Sequence, residues 1–301
     1  MDRFHLLEVF VAVAEEESFA GGARRLGLSA PAVTRAVAGL EARLGVKLLA
    51  RTTRFVRATE AGIQYLEHAR RILLELDEAD DAASGIHGQP RGHLAVTAPA
   101  LFGRMYVMPH VAEYLQRYPD ITVSTLLLDR VVNLLEEGMD VGIRIGELPD
   151  SALRAIHVGT VRRVVCATPG YLQTHGVPLI PADLSTHTII AANTLAAQVD
   201  WAFEHAKNTS HLRLKPRLST STNESAIDVA LAGSGVVRQM SYQVAPYLAT
   251  GQLQAILTEY ETAPLPIHVL HREGRHVSAR VRSFVDLLVE RLRADQRLKG
   301  G

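Results

Sequence analysis

The sequence is short of the features that staple, anchor or metallate a chain. A single cysteine, Cys166, stands among 301 residues, so no intrachain disulfide framework can form. It lies in an apolar stretch, where a buried small hydrophobe is the expected role rather than a nucleophile. No apolar run is long enough to span a bilayer, so no membrane partner is expected. The N-terminal "MDRFHLLEVFVAVAEEE" lacks the basic start and cleavage site of a signal peptide, and a cytoplasmic location is expected. The 13 histidines are scattered. His268 and His271 would point to opposite faces of one strand, so neither a metal nor a cofactor is expected. "GSG" at Gly233–Gly235 is followed by no GxxxxGK[ST] pattern and reads as a tight turn rather than a phosphate loop. No catalytic triad is discernible, and enzyme activity is not expected.

Excess charge is also missing overall, with 32 basic and 32 acidic residues. Its distribution is uneven. Between Gly21 and Ala58 eight basic residues face the single acid Glu41, a window charge of +7. Between Thr59 and Gln89 seven acids face Arg70 and Arg71, a window charge of −5. A basic block followed by an acidic segment points to a polyanionic partner for the block.

The basic block has a readable local structure. Phe4, Leu7, Phe10, Val11 and Ala14 recur at helical steps. Ser18 can cap a short second helix that Gly27 stops, although Gly21 and Gly22 weaken it by roughly 1 kcal/mol each relative to alanine. Ser29 can cap the next helix, and Pro31 falls in its first turn, where N–H groups have no intrahelical partners. Val33, Val37, Leu40 and Leu44 then form a buried stripe. Ala30, Pro31, Thr34, Arg35 and Ala38 fall on an outward face that is slim enough for a major groove. Two short helices about a glycine turn form a helix-turn-helix. "VKLLAR" and "RFVRAT" read as strands of a wing whose tip carries Arg51 and Arg54, placed to meet the DNA backbone or minor groove.

The segment "SFAGGARRLGLSAPAVTRAVAGLEARLGVKLLARTTRFVRATEAG" resembles the N-terminal signature of the LysR-type transcriptional regulators. The later segments "LAVTAPALFGRMYVMPHVAEYLQRYPDI" and "LLLDRVVNLLEEGMDVGIRIGELPDS" most resemble the CrgA-like subgroup. The resemblance implies a DNA-binding regulator with an N-terminal all-α winged helix-turn-helix, a long linker helix, and a C-terminal α/β two-lobed periplasmic-binding-protein-like domain that senses a small-molecule effector. Carried over by position, it places base-reading contacts on Ala30, Pro31, Thr34 and Arg35 and the wing arginine on Arg54; Ser29 at the helix start and Arg51 at the wing tip complete the expected DNA contacts. Many members have glutamine in place of Ala30, and alanines where Gly21 and Gly22 stand. The implied partners are double-stranded operator DNA, an effector, RNA polymerase and a second copy of the chain in a homodimer or homotetramer.

Thr59 can cap a linker helix from Glu60 to about Ser84. Leu66, Ala69, Leu73 and Leu76 make a heptad seam on it, continued by Asp80 and Ala83, the pattern of a pairing helix. "SGIHGQPRG" reads as a hinge. These features divide the chain into a winged helix-turn-helix over 1–58, a dimerisation helix and hinge over 59–90, and an effector domain over 91–301. The first lobe of that domain takes about 91–162 and 267–301, the second about 163–266.

In the last segment "HLAVTA", "ITVSTLLLD", "DVGIRIG", "RRVVCATPGYL", "HTIIAAN" and "PIHVLH" read as strands. Helices are expected over Met105–Tyr118, Val131–Glu137, near Asn223 and from Ser278 to about Ala294. Strands alternating with helices predict parallel, helix-covered sheets. Ligands of such sheets bind outside the carboxyl ends of strands. That rule selects Thr97, Ala98, Pro99, Ala100, Asp129, Arg144, Gly146, Asn193, Thr222 and Asn223 as effector contacts. Helix N-termini near Ala100 and Asn223 favour an anionic group there. The alternative reading is an α/β enzyme with a helix-turn-helix appendage, which a cleft of strongly shifted titratable groups would support.

Overall fold

The computed structural model describes residues 2–51, 56–83, 89–148, 153–192, 194, 196–206, 208–272 and 278–299. The chain divides into two compact units, one over Met1–Gly88 and one that takes most of the chain from Gln89 onward.

The N-terminal unit holds α1 (Arg3–Glu15), α2 (Phe19–Arg25), α3 (Ala30–Leu44), β1 (Leu49–Arg51), β2 (Val56–Ala58) and α4 (Glu60–Ala83). Each predicted stop and start is in place. Ser18 Oγ accepts from the Gly21 N–H, Ser29 Oγ from Ala32, and Thr59 Oγ1 from Gly62. Gly27 and Gly45 end α2 and α3 with φ of 64° and 69°, the left-handed conformation that glycine adopts without steric cost.

Helix α1 is the axis of this core. Its Leu6, Leu7, Val9, Phe10, Val11, Ala12 and Val13 are all buried, because α2, α3 and α4 all pack around it. Phe4, expected on the buried stripe, is 39% exposed, since the stripe begins one turn later at Leu7.

The glycine pair in α2 has a packing reason. A Cβ on Gly22 would lie 2.8 Å from Val13 Cγ2 and 3.0 Å from the Val13 backbone nitrogen, and one on Gly21 would lie 2.9 Å from Glu16 Cβ. The helices therefore approach closely, and the expected loosening of α2 is offset by contact. Gly22→Ala gains at most about 1 kcal/mol of helix propensity. Overpacking costs about 1–3 kcal/mol, so a net loss of stability is expected. An unfolding temperature at or above wild type, followed by circular dichroism, would refute this contact.

The C-terminal unit has two five-stranded sheets. The first has order β4-β3-β5-β14-β6 and comprises β3 (Gly92–Ala98), β4 (Ile121–Leu127), β5 (Val141–Ile145), β6 (Leu153–Val161) and β14 (Leu265–Arg272). The second has order β11-β8-β12-β7-β13 and comprises β7 (Arg163–Ala167), β8 (Ile189–Ala192), β11 (Leu218–Thr220), β12 (Val236–Met240) and β13 (Gln254–Ile256). A hairpin, β9 (Val199–His205) with β10 (Asn208–Leu214), packs Trp201, Phe203 and Leu214 against the second sheet. The helices of this unit are α5 (Ala100–Phe102), α6 (Met108–Arg117), α7 (Pro169–His175), α8 (Asn223–Leu231), α9 (Ser241–Ala249) and α10 (Ala279–Ala294).

Both sheets are mixed, not parallel throughout. In the first, β14 runs antiparallel to β5 and β6; in the second, β7 runs antiparallel to β12 and β13. The chain crosses from one sheet to the other at Arg162 and returns before Leu265. An Arg162–Glu261 ion pair at 2.6 Å ties the two crossings. The last strand joins the first sheet as expected, and α10 packs on α6 through Tyr114 and Phe284, whose rings meet at 5.1 Å.

Two further expectations are corrected. Val131–Glu137 is an irregular loop and turn, not a helix; Val132 and Leu134 are buried while Val131 and Leu135 are exposed, and residues two apart would lie on opposite sides of a helix. The helix expected from Met105 begins earlier, at Ala100, and passes through a π turn over Gly103–Val107 before α6. That turn stacks Phe102 on Tyr106 at 4.9 Å and sets both edge-on to Tyr242 of the second lobe, at 5.3 and 5.8 Å. Cys166 is fully buried, and burial pushes its thiol up to about 12, which fits the inert role expected of it.

Candidate nucleic-acid interface and effector cleft

Helix α3 splits as its sequence predicts. Val33, Ala36, Val37 and Leu40 are buried. Ser29, Ala30, Pro31, Arg35 and Ala38 are exposed and Thr34 is half-buried. Arg24, Arg35, Arg43 and Arg57 are exposed and make no ion pair among the described residues. Arg25 is instead paired with Glu15, which also binds Arg70 of α4. Arg54 and the rest of the wing tip lie outside the described residues, as does the side chain of Arg51.

The one acid of the basic block is turned away from this face. Glu41 is 5% exposed. Its Oε1 accepts the N–H of Leu48 at 3.0 Å and of Leu49 at 3.1 Å, and its Oε2 accepts from Lys47 Nζ at 2.6 Å. Burial alone would raise its pKa. The Lys47 ammonium and the two backbone N–H groups outweigh burial and hold the carboxyl below its ordinary value. Glu41 thus fastens β1 to the end of α3. Thr59 Oγ1 donates to the Lys47 carbonyl at 2.7 Å, and a Cβ on Gly62 would overlap the Leu48 carbonyl oxygen, so the first turn of α4 is seated on the same strand.

Three of the four seam residues of α4 face inward. Ala69 is buried in the α1 core, and Leu66 and Leu73 pack on it. Tyr65 meets Phe10 edge-on at 5.5 Å. The heptad spacing serves the intrachain contact there. Ile72 is 38% exposed and Leu76, one turn on, is half-buried.

In the C-terminal unit a cavity of about 580 Å³ opens between the two sheets, within the usual size range of small-molecule sites. Of the residues selected by the strand-end rule, Pro99, Asp129, Arg144 and Asn223 line it. Thr97, Ala98, Ala100, Gly146 and Thr222 do not, for identifiable reasons. Thr97 and Ala98 are each 2% exposed, with the Thr97 hydroxyl donating to the Leu126 carbonyl. Ala100 offers only its N–H, which Asp129 takes. Gly146 donates its N–H to the Pro266 carbonyl. Thr222 spends its hydroxyl capping α8. Asn193 lies outside the described residues.

The cationic wall was not anticipated from the sequence. Arg163 and Arg238 project from adjacent strands of the second sheet. Arg238 lies over the Trp201 ring, 4.9 Å from its centroid, and donates to the Ala202 carbonyl. Burial and the nearby Arg163 charge bring Arg238 down to about 10, and burial lowers Arg163 as well. Gln239, 4% exposed, also lines the cavity, and its Nε2 has no hydrogen-bond partner among the described residues. Applied to β12, the strand-end rule would have found Gln239 and Met240. Alternating Val199, Trp201 and Phe203 would have found the hairpin.

An exposed, slim, basic helix joined to a wing, and a two-lobed domain with an arginine-lined cleft, define a ligand-responsive DNA-binding regulator. The chain belongs to the LysR family of bacterial helix-turn-helix regulators. Residues 4–63 match the family's regulatory helix-turn-helix protein model and residues 87–293 the LysR substrate binding domain. The chain is 34% identical to the transcriptional regulator CrgA of Neisseria meningitidis serogroup B, covering 95% of this chain and 96% of that protein. It is 33% identical to the regulator PtxR of Pseudomonas aeruginosa, covering 95% and 92%. The solved structure of CrgA superposes with a TM-score of 0.62 over 96% of this chain and 98% of the other. A full-length AphB variant gives a TM-score of 0.71 at 23% identity, covering 96% and 99%, a likeness of fold. The chain is thus a DNA-binding transcription regulator with an effector domain, and not an enzyme. Among the described residues no helix is long and apolar enough to cross a membrane.

Proposed function

We propose that the chain acts in the cytoplasm as a dimer or a pair of dimers on operator DNA, with α3 in the major groove and the wing on the flanking backbone. Ala30, Pro31, Thr34 and Arg35 read the groove, Ser29 seats the helix, and Arg51 and Arg54 meet phosphates or the minor groove. Two copies present two such helices to the half-sites of a near-palindrome. Ala69 is buried within the chain, and the half-buried Leu66, Leu73 and Leu76 together with Ile72 carry the pairing surface of α4. RNA polymerase is the partner through which occupancy becomes transcription. The division into 1–58, 59–90 and 91–301 follows these roles.

The effector is a small organic anion with an apolar body, held in the cleft. The observation that carries this reading is the Arg163–Arg238 pair in one cavity with Gln239, whose Nε2 has no partner among the described residues, and with Trp201, Val199 and Ile190. Trp201 is the only tryptophan in the sequence, so intrinsic fluorescence reports the cleft directly. Titration with a panel of aromatic and aliphatic carboxylates at fixed ionic strength is expected to shift that emission. Arg163→Ala should weaken the responding ligand about 10–100-fold, the loss of a charge-assisted hydrogen bond. An unchanged dissociation constant would sink the assignment of the anion to this wall.

A further inference from the structure

Strand-end geometry places an anion seat between the N-termini at Ala100 and Asn223. In this chain the seat is already taken. Asp129, on the loop after β4, accepts the Ala100 N–H on Oδ1 at 3.0 Å. On Oδ2 it accepts from Asn223 Nδ2 at 3.1 Å. Asn223 is 6% exposed and begins α8 of the second lobe. A carboxylate only accepts, so the amide of Asn223 must turn its nitrogen toward Asp129. One protein carboxylate therefore bridges a backbone N–H of the first lobe and a side-chain N–H of the second.

We propose that Asp129 is a specificity-determining residue. It is a resident carboxylate that holds the two lobes together and bars a ligand's carboxylate from the seat between Ala100 and Asn223. A second anion there would meet the Asp129 carboxylate at close range. Asp129 itself lines the cavity, and a carboxylate only accepts. The ligand group next to it must therefore be a hydrogen-bond donor. This rests on the cleft being the effector site and refines it. The effector is bifunctional, with an oxyanion toward Arg163, Arg238 and Gln239 and a hydroxyl, amide or ammonium toward Asp129. Pro99, at the head of the α5 segment, offers no hydroxyl or N–H to a ligand carboxylate, consistent with a seat filled from within.

The test is chemical rescue in the full-length chain with formate, which has the size of the deleted carboxylate. Asp129→Ala should unfold at a lower temperature than wild type. Sodium formate, compared with sodium chloride at equal ionic strength, should raise its unfolding temperature by about 3 °C or more. Any gain from formate at the Arg163–Arg238 wall is common to all three proteins, so wild type and the Asp129→Ala/Asn223→Ala double variant should rise by about 3 °C less than Asp129→Ala. An equal rise in all three proteins, or none in a folded Asp129→Ala, overturns the proposal. Should Asp129→Ala fail to fold, Asn223→Ala cuts the same bridge from the other lobe. It should increase the radius of gyration in small-angle scattering, and an unchanged value overturns the proposal. The Trp201 signal separates this from the wider reading. Ligand-induced emission change without formate rescue rejects the role of Asp129 alone. Formate rescue without any ligand response leaves Asp129 as the carboxylate joining the lobes but rejects both the cleft as effector site and the specificity role that rests on it.

Discussion

Glu41→Ala is expected to destabilise the N-terminal unit by about 2–4 kcal/mol. The side chain satisfies two backbone N–H groups, of Leu48 and Leu49, in a buried setting. An unsatisfied buried donor costs about 1–3 kcal/mol. The Lys47 contact adds less, because that ammonium is 78% exposed and exposed pairs contribute about 0–1 kcal/mol. The folded-state pKa of Glu41 lies below its ordinary value. Its stabilisation is therefore complete at neutral pH and disappears as pH falls through that lowered value. In Glu41→Gln this acid dependence should vanish, while one acceptor oxygen remains for the amides. Urea unfolding of wild type and both variants across acidic pH measures this. An Ala variant as stable as wild type would mean that Glu41 does not hold the wing.

The second large effect concerns DNA. Arg35→Ala should cost about 1–3 kcal/mol at the preferred operator, the value of a bidentate guanine contact. It should relax selectivity at one base position per half-site. Arg54→Ala should weaken all sequences alike and reduce the salt slope by about one. Binding to a randomised operator library at several salt concentrations distinguishes the two. Identical selectivity profiles for Arg35→Ala and wild type would remove Arg35 from the groove.

The division of α3 was legible because helix periodicity, a capping serine, an early proline and a terminal glycine all pointed to one answer. The linker seam was harder to assign. Leu66, Ala69 and Leu73 repeat at heptad steps whether the partner is another chain or α1, and spacing alone does not distinguish the two. The strand-end rule found Pro99, Asp129, Arg144 and Asn223 because those positions follow from sheet topology. It missed Arg163, Arg238 and Trp201, which reach the cavity from a strand start, from within a strand and from a hairpin. The helix starts at Ala100 and Asn223 suggested a ligand anion, where the structure has the Asp129 carboxylate bonded to both residues, a long-range contact that the sequence does not encode. The Val131–Glu137 loop carried a helical composition, but it buries Val132 and Leu134, two residues apart, and burial decided against a helix.

The close seating of Gly62 on the Leu48 carbonyl has a mechanical consequence. With Glu41 fastening α3 to β1, and Thr59 and Gly62 fastening β1 to α4, the reading helix, the wing and the 24-residue α4 form one stiff lever. At 1.5 Å per residue its arm is about 36 Å long. A 10° tilt about the far end would sweep the reading end by about 6 Å, close to two base-pair steps of about 3.4 Å. With α3 in the groove as proposed, small rotations would be amplified along this helix into changes of groove register.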